Sequence, residues 1–143
     1  MSKKISRLLV AVSLFAVLAG SSVYAQSSVV VKMDVPFEFR VGGQTLPSGV
    51  YTISALNPNL VVIRSKNGHQ SAPVMTNALQ INQARSDGRL IFNRYGEFYF
   101  LSQIWTPGEA VGRKLVQSGA EREIAAVNTP TETTILIAGT ATK

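Results

Sequence analysis

The sequence predicts an all-β, mainly antiparallel fold with one short helix, arranged as a β-sandwich, with a small partly open β-barrel as the alternative. Three observations favour this class. Apolar and polar residues alternate between Val29 and Val41, which is the period of a strand with one buried face. Further short apolar segments are separated by turn sequences at regular spacing. A single segment near the C-terminus carries the signals of a helix start.

The first 25 residues have the three parts of a secretory signal peptide. Basic residues come first, at Lys3, Lys4 and Arg7, an apolar run spans 8–19, and Val23-Tyr24-Ala25 resembles a cleavage site. Those 12 residues would rise only about 18 Å as a helix, too little for a hydrocarbon core of about 30 Å. We therefore expect residues 1–25 to be removed, and residues 26–143 to form a single exported β-rich domain, periplasmic or extracellular, with no membrane span.

The first predicted strand covers Val29 to Val41. Its odd positions are all apolar and its even positions are mostly polar. Pro36 lies on the polar side and has no N–H for a ladder hydrogen bond. We therefore expect either one long strand at a sheet edge or two strands bent at a bulge near this proline.

Turn sequences divide the next stretch. Leu46-Pro47-Ser48-Gly49 and Asn57-Pro58-Asn59 have turn composition, and Asn67-Gly68 is the strongest two-residue hairpin signal in the chain. The predicted strands between these turns are 50–56, 60–65 and 69–76, followed by a polar loop at 77–88.

A second hairpin is predicted from Leu90–Arg94 and Glu97–Trp105. We expect Tyr95-Gly96 to be its two-residue loop, which sets Phe92 opposite Tyr99. Both faces of this hairpin carry apolar residues, so we expect it to lie centrally and to be covered on both sides.

The same hairpin holds the densest group of aromatic residues. We expect Phe98 and Phe100 to be core residues. Alternation places Tyr99 and Trp105 on the other face, beside Arg94, and an exposed Tyr/Trp platform suits a sugar or a peptide. Arg94, Tyr99 and Trp105 are therefore the candidate recognition patch, with ordinary cross-strand packing as the alternative interpretation.

A short helix is predicted after Ser118. Ser118 and Glu121 have the spacing of a capping box, and apolar residues recur at helical spacing at Ala120, Ile124 and Val127. Pro130 disfavours helical geometry in the residue before it, so we expect the helix to end at Asn128.

The segment Thr133 to Ala138 is apolar and β-branched, which predicts a last strand. Pairing within the chain would complete the sheet. Pairing with another copy would instead produce self-association through 133–138. We favour pairing within the chain, because an unpaired strand of this composition promotes aggregation.

Composition excludes several function classes. Removal of the signal peptide lowers the formal charge from +6 to +3, and the remaining basic residues form no cluster, so we expect no nucleic-acid partner. The chain contains no cysteine, which excludes disulfides, thiolate metal sites and cysteine catalysis. Its stability must therefore come from packing.

No chemistry-bearing constellation is evident. His69 is the only histidine and follows a turn glycine, so we expect a solvated turn residue rather than a ligand. Asp34 and Glu38 would lie about 13 Å apart on a strand, beyond the about 5–9.5 Å of a glycosidase pair. We treat Gly42-Gly43 and Gly108/Gly112 as turns, because they lack phosphate-loop spacing. We predict no catalytic residues, no metal and no cofactor.

Two segments resemble a family of small exported bacterial proteins of unknown function. They are VPFEFRVGGQTLPSGVYTI at Val35–Ile53 and RYGEFYFLSQIW at Arg94–Trp105, supported by Gly112-Arg113 and by the acidic and basic residues at 121–123. The resemblance implies export and carries over no catalytic residue. LPSGVYTI also resembles the Pro-Gly turns of prealbumin-like β-sandwich modules, at the level of fold alone.

The predicted function is that of a secreted or periplasmic, non-catalytic β-domain with a binding or surface-structural role toward an envelope or extracellular partner. The first alternative is a small carrier of apolar ligands, which would require a cavity of several hundred Å³. The second is a secreted hydrolase, which would require converging titratable groups in a cleft.

Overall fold

The computed structural model describes residues 30–137. Within that range the chain forms ten strands and one helix, α1. The strands are β1 (Val30–Val35), β2 (Phe39–Val41), β3 (Gln44–Leu46), β4 (Gly49–Asn57), β5 (Leu60–Ser65), β6 (Ser71–Gln80), β7 (Gly88–Tyr95), β8 (Phe98–Trp105), β9 (Val111–Leu115) and β10 (Thr131–Ile137), and α1 spans Gly119–Ala125. The predicted signal peptide at 1–25 lies outside the described residues, and so do 26–29 and 138–143. None of the helical segments in residues 30–137 has the length and apolarity to cross a bilayer.

The strands form one sheet in the order β1-β4-β5-β6-β9-β8-β7-β10. The β2–β3 hairpin joins it at β8 through one parallel pair, Arg40 with Phe100, and every other pairing is antiparallel. The end strands β1 and β10 come within 8 Å of each other between Cα atoms, but no ladder joins them within residues 30–137. The predicted all-β fold with one short helix is therefore confirmed, and the sheet stays open.

One apolar core lies between the two halves of the sheet, as in a sandwich. The inner faces of nine strands contribute to it, and β10 adds the half-buried Ile135. Its largest fully buried side chains include Phe39, Leu46, Tyr51 and Phe92. Burial of this apolar surface is the main stabilising contribution in a chain without cysteine.

The N-terminal alternation appears as two strands. β1 ends at Val35 and β2 begins at Phe39, with the exposed Pro36 at the break. The odd positions from Val31 to Val41 are buried, except for the half-buried Phe37. β1 pairs only with β4 among the described strands, which agrees with both an edge position and a bend near the proline.

Tyr51 fixes the turn that precedes β4. Its hydroxyl donates a hydrogen bond to the backbone carbonyl of Pro47, four residues upstream, at 2.5 Å. The ring is almost fully buried against Phe39, with the centroids 5.2 Å apart and the planes nearly perpendicular. This resembles the tyrosine corner of sandwich folds, in which a buried ring bonds back to the turn before its strand.

The sequence prediction missed two strands. β3 follows Gly42-Gly43 directly, and β9 occupies 111–115, where Gly112 was expected in a turn but lies within the strand. The predicted loop at 77–88 is wrong for 77–80, which continue β6 and pair with β9. The polar composition of 77–80 and of β9 concealed this pairing.

The loop of the β7–β8 hairpin lies one residue later than predicted, which shifts the pairing of the two strands by two residues. Tyr95 pairs with Phe98, so Gly96-Glu97 is the loop, and Tyr99 faces Arg94 rather than Phe92. Gly96 has a φ of 62°, in the left-handed region that glycine favours. Phe98 is 46% exposed, which corrects its expected place in the core, whereas Phe100 is buried.

β8 contains a bulge at Ser102, which has no partner on β7. The ladder pairs on either side are Phe92 with Leu101 and Ile91 with Gln103. A bulge shifts the alternation of the strand by one residue. Leu101 and Ile104 therefore both belong to the core, while Trp105 lies on the outer face with Phe100.

α1 covers the outer face of this hairpin. The hydroxyl of Ser118 accepts a hydrogen bond from the backbone N–H of Glu121 at 3.2 Å, which is the N-cap half of the predicted capping box. The expected apolar face is wrong, because Ala120 is exposed and Val127 is 82% exposed. Glu121 is the buried helical residue, at 4% exposure, and the helix ends at Ala125.

The predicted C-terminal strand is present and pairs within the chain. β10 runs antiparallel to β7, from Thr131 opposite Arg94 to Ile137 opposite Gly88. Ala138, the predicted last residue of the strand, lies outside the described residues. The described part of β10 therefore extends the sheet beyond the central hairpin.

Candidate functional site

A cavity of about 630 Å³ lies at one end of the sheet, where the β4–β5 turn, the β8–β9 loop and the start of β1 meet. We call it the Arg113 cavity. It is lined by Val31, Ile53, Ala55, Leu56, Asn57, Pro58, Val61, Ala78, Ile104, Thr106, Glu109, Ala110, Val111, Gly112 and Arg113.

The floor of the Arg113 cavity is part of the apolar core. Val31, Ile53, Val61 and Ile104 are all at most 4% exposed. They share the inner face of the sheet. Ile53 on β4 pairs with Val31 on β1, and Ala55, two residues further along the same face of β4, pairs with Val61 on β5. The floor therefore offers only van der Waals contact.

Exposed apolar side chains form part of the rim. Leu56 is 62% exposed and Val111 is 46% exposed. Leu56 has no ladder partner, because the β4–β5 register shifts between Ala55 and Asn57, and such a bulge redirects a side chain. The apolar surface of the floor thus continues outward to the solvent.

Arg113 is the cationic residue of the cavity. It lies on the inner face of β9, where it pairs with Ala78 on β6 and Ile104 on β8. Its Nη1 donates to the backbone carbonyls of Asn57 at 3.3 Å and Pro58 at 2.5 Å. The guanidinium therefore reaches across the mouth from β9 to the β4–β5 turn.

No carboxylate neutralises Arg113 among the described residues. The only ion pair in residues 30–137 joins Arg89 and Asp87 at 2.6 Å, and neither residue lines the cavity. The hydrogen bond from Arg89 lowers the pKa of Asp87. Glu109 is the only carboxylate that residues 30–137 contribute to the lining, and it is exposed on the β8–β9 loop.

The structure separates the members of the predicted recognition patch. Arg94 lies over the ring of Tyr99, with 5.3 Å from its guanidinium carbon to the ring centroid. Tyr99 is half-buried and stacks on Phe37 at 3.8 Å between centroids. Trp105 is on the opposite face, because the bulge at Ser102 lies between it and Tyr99. Arg94 and Tyr99 therefore remain together, without Trp105.

Trp105 is a packed side chain. It is 4% exposed, and its indole N–H donates to Oε1 of Gln103 at 3.0 Å. One face of the ring covers Gly112 on the neighbouring strand. This tryptophan supports the wall of the Arg113 cavity from behind rather than offering a surface to a ligand.

A buried polar cluster lies under α1. Oε1 of Glu121 accepts hydrogen bonds from Nδ2 of Asn93 at 2.9 Å and from the hydroxyl of Tyr95 at 3.3 Å. Burial, followed by the charge of Glu121 and this hydrogen bond, raises the pKa of Tyr95. The cluster ties the helix to β7. Sequence reasoning missed it, because a glutamate in a helix is normally expected at the surface.

The remaining predicted residues lie apart from the cavity. His69 is exposed in the β5–β6 turn, as expected, where its backbone N–H donates to Oδ1 of Asn67 at 3.0 Å. It borders a second depression of about 470 Å³ that also includes Lys66 and Gln70. Asp34 and Glu38 are exposed.

The described part of the chain contains no group of three or more His, Cys, Asp or Glu side chains placed to hold a metal ion. The described lining of the Arg113 cavity offers apolar contact, the cation of Arg113, the exposed carboxylate of Glu109 and the polar side chains of Asn57 and Thr106. Three small side chains in the lining leave room for the cavity, and they are its only sign in the sequence: Ala55, Ala78 and Ala110.

No family model matches this chain, and no curated protein or solved structure is significantly similar to it.

Proposed function

We propose that this protein is an exported, non-catalytic binding protein that holds a small apolar ligand in the Arg113 cavity. The observation that carries the proposal is the cavity of about 630 Å³, with its floor of buried core side chains. Small-molecule sites are typically concave, mostly apolar and about 300–1,000 Å³ in volume.

The exposed rim supports the same function. Leu56 and Val111 expose apolar surface next to the apolar floor. Contiguous exposed apolar surface of this kind is typical of a binding site, because burial against a ligand removes it from water.

A non-catalytic role is supported by the chemistry of the lining. Glu109 and Arg113 are the titratable residues among those that line the cavity. A hydrolase would require a nucleophile or a positioned water together with a general base within hydrogen-bond reach, and a binding role requires neither.

Binding can be tested by titrating the purified protein with N-phenyl-1-naphthylamine, a neutral dye that fluoresces in apolar surroundings. Ala78 lies on the inner face beside Arg113, and the exposed Asn77 precedes it on the outer face. We expect saturable binding to the wild type and to Asn77→Phe, and an affinity at least about tenfold weaker for Ala78→Phe, whose ring fills the mouth. Equal binding by both variants would place the dye elsewhere and contradict the proposal.

Export is a separate part of the proposal, and it rests on the charged start, the apolar run and the Val23-Tyr24-Ala25 ending of the N-terminal segment. We expect protein recovered from the periplasm or the medium to begin at Gln26. Intact-mass measurement decides this, and mature protein that still begins at Met1 would contradict cleavage.

A further inference from the structure

We propose that the ligand of the Arg113 cavity is an anionic amphiphile with a single alkyl chain, whose acid group binds the Arg113 guanidinium while its chain lies on the apolar floor. This inference rests on the proposed function and specifies its ligand class. It is carried by the position of one cation at the mouth of a cavity whose floor is apolar.

Arg113 occupies a position where an apolar residue is expected. It shares its face of β9 with Leu115, which is buried, and Ala78 and Ile104 flank it on the neighbouring strands. A charged residue on an inner face is costly to bury unless it is paired or can reach water. The long side chain of Arg113 resolves this by placing its stem along the wall and its guanidinium at the mouth.

The guanidinium is held in place but keeps its charge. Both hydrogen bonds that Arg113 makes to described residues leave from Nη1 and go to neutral carbonyls, those of Asn57 and Pro58. These contacts orient the group without neutralising it. A carboxylate accepts two parallel N–H bonds from one edge of an arginine, and the edge formed by Nε and Nη2 makes no hydrogen bond to the described residues.

The surroundings favour an anion over a neutral polar group. A charge pair is stronger beside low-dielectric apolar surface than in open water, and Leu56 and Val111 provide such surface at the mouth. The formal charge of the whole chain is +6, and it remains +3 once the basic residues of the N-terminal segment are removed. A net positive field attracts anionic ligands.

Glu109 opposes this preference. It is the only carboxylate among the described lining residues, and it makes no ion pair with Arg113 at salt-bridge distance. Its exposure on the β8–β9 loop leaves it well solvated. An anionic head group would feel a weak repulsion from it, so removing its charge should strengthen anion binding, and water and salt limit the size of the effect.

The test is displacement of N-phenyl-1-naphthylamine by ligands that share one alkyl chain and differ in the head group. They are decanoate, decanol and decylamine, the last of which is cationic at neutral pH. We expect decanoate to displace the dye at a concentration about tenfold lower than decanol, because hydrogen bonds to charged groups contribute more than neutral ones. Decylamine should be the weakest competitor.

Two substitutions assign the preference to residues. Arg113→Met keeps the stem and removes the charge, so decanoate should become no better than decanol while decanol itself is unchanged. Lys114→Met is the matched control, because Lys114 is exposed on the outer face of the same strand, and the preference should survive there. Glu109→Gln should improve decanoate binding and leave decanol unaffected.

The outcomes separate the two proposals. Saturable dye binding with equal displacement by decanoate and decanol in the wild type would overturn the anionic ligand and leave apolar binding intact, whether or not Arg113→Met folds. A preference for decanoate that persists in a folded Arg113→Met variant would also overturn it. Binding of decanoate only as anionic vesicles or micelles would indicate a membrane surface instead of a single chain. Absence of dye binding to the wild type would overturn the proposed function itself.

Discussion

The indole ring of Trp105 lies directly against the backbone of Gly112 on the neighbouring strand. A Cβ atom at Gly112 would come within 2.5 Å of ring carbon Cε3, closer than real Cβ atoms approach. Gly112 is buried and also lines the Arg113 cavity on its other side. The wall of the cavity is therefore one backbone thick at this point, with a tryptophan ring behind it.

We predict that Gly112→Ala destabilises the fold by about 1–3 kcal/mol, since the ring must move out of a well-packed site. Urea unfolding followed by far-UV circular dichroism measures this, because that signal survives the removal of Trp105, the single tryptophan. Combining the substitution with Trp105→Phe should reduce the added cost of the alanine. Gly119→Ala is the control, because its nearest neighbour would be 4.0 Å away. Equal stability of Gly112→Ala and the wild type would contradict the close contact.

Phe98 and Phe100, which lie two residues apart on β8, give a second prediction. Phe100 is 2% exposed and packs edge-to-face on Tyr95 at 5.7 Å between centroids, whereas Phe98 is 46% exposed. Phe100→Ala should cost about 3–5 kcal/mol, and Phe98→Ala should cost clearly less. A loss below about 1 kcal/mol for Phe100→Ala in urea unfolding would show that the outer face is not packed.

The Glu121 cluster predicts a difference between two substitutions. Glu121→Ala leaves the buried Tyr95 and the half-buried Asn93 without their acceptor, which should cost about 1–3 kcal/mol. Glu121→Gln keeps an acceptor oxygen and should cost less. Glu123→Ala, on the exposed side of the same helix, should be nearly neutral. A neutral Glu121→Ala would mean that the cluster does not hold α1 on the sheet.

Two buried tyrosines predict loss of stability at alkaline pH. Burial raises the pKa of Tyr51, and burial together with Glu121 raises the pKa of Tyr95, both above the ordinary 10.0. The unfolded chain therefore releases these protons first. Their contribution is fully present below about pH 10 and is lost as the pH rises through the folded-state values. Urea unfolding between about pH 8 and about pH 11 should show this fall, and Tyr51→Phe and Tyr95→Phe should each reduce its slope. An unchanged slope in both variants would assign the fall to other groups.

The last strand provides a fifth prediction. β10 pairs with β7 along its described length and adds Ile135 to the core. Deletion of Thr133–Lys143 should lower the free energy of unfolding. The number of chains per particle, measured by light scattering, should stay the same. An assembly of the full chain that falls to folded monomers on deletion would instead support pairing between copies.

Much of the fold could be predicted where the apolar pattern is regular. β5 spans Leu60–Ser65 as predicted, because turn residues bound it on both sides. The alternation of β1 and β2 follows from apolar residues at every odd position. These strands bury one uninterrupted apolar face, and a period of two is sufficient to detect it.

The candidate site lies where that pattern fails. β9 was missed because Arg113 takes an inner position and Gly112 has no side chain, so no alternation is visible. Glu121 was missed because its burial depends on partners that come from a distant strand, Asn93 and Tyr95. Departures from local patterning are expected at functional or specialised sites.

The bulge at Ser102 makes the register of β8 more important than the identity of many of its residues. If Ser102 instead paired as an ordinary strand residue, strict alternation from Leu101 would exchange the faces of Ile104 and Trp105. The indole would then enter the floor of the Arg113 cavity, and the backbone of Gly112 would lose its cover. Apolar exchanges along β8 should therefore be tolerated during divergence, and so should loss of the bulged residue, which leaves Ile104 and Trp105 on their present faces. A change that straightens the bulge without shortening the strand should be selected against, because it would remove the ligand site and the outer packing in a single step.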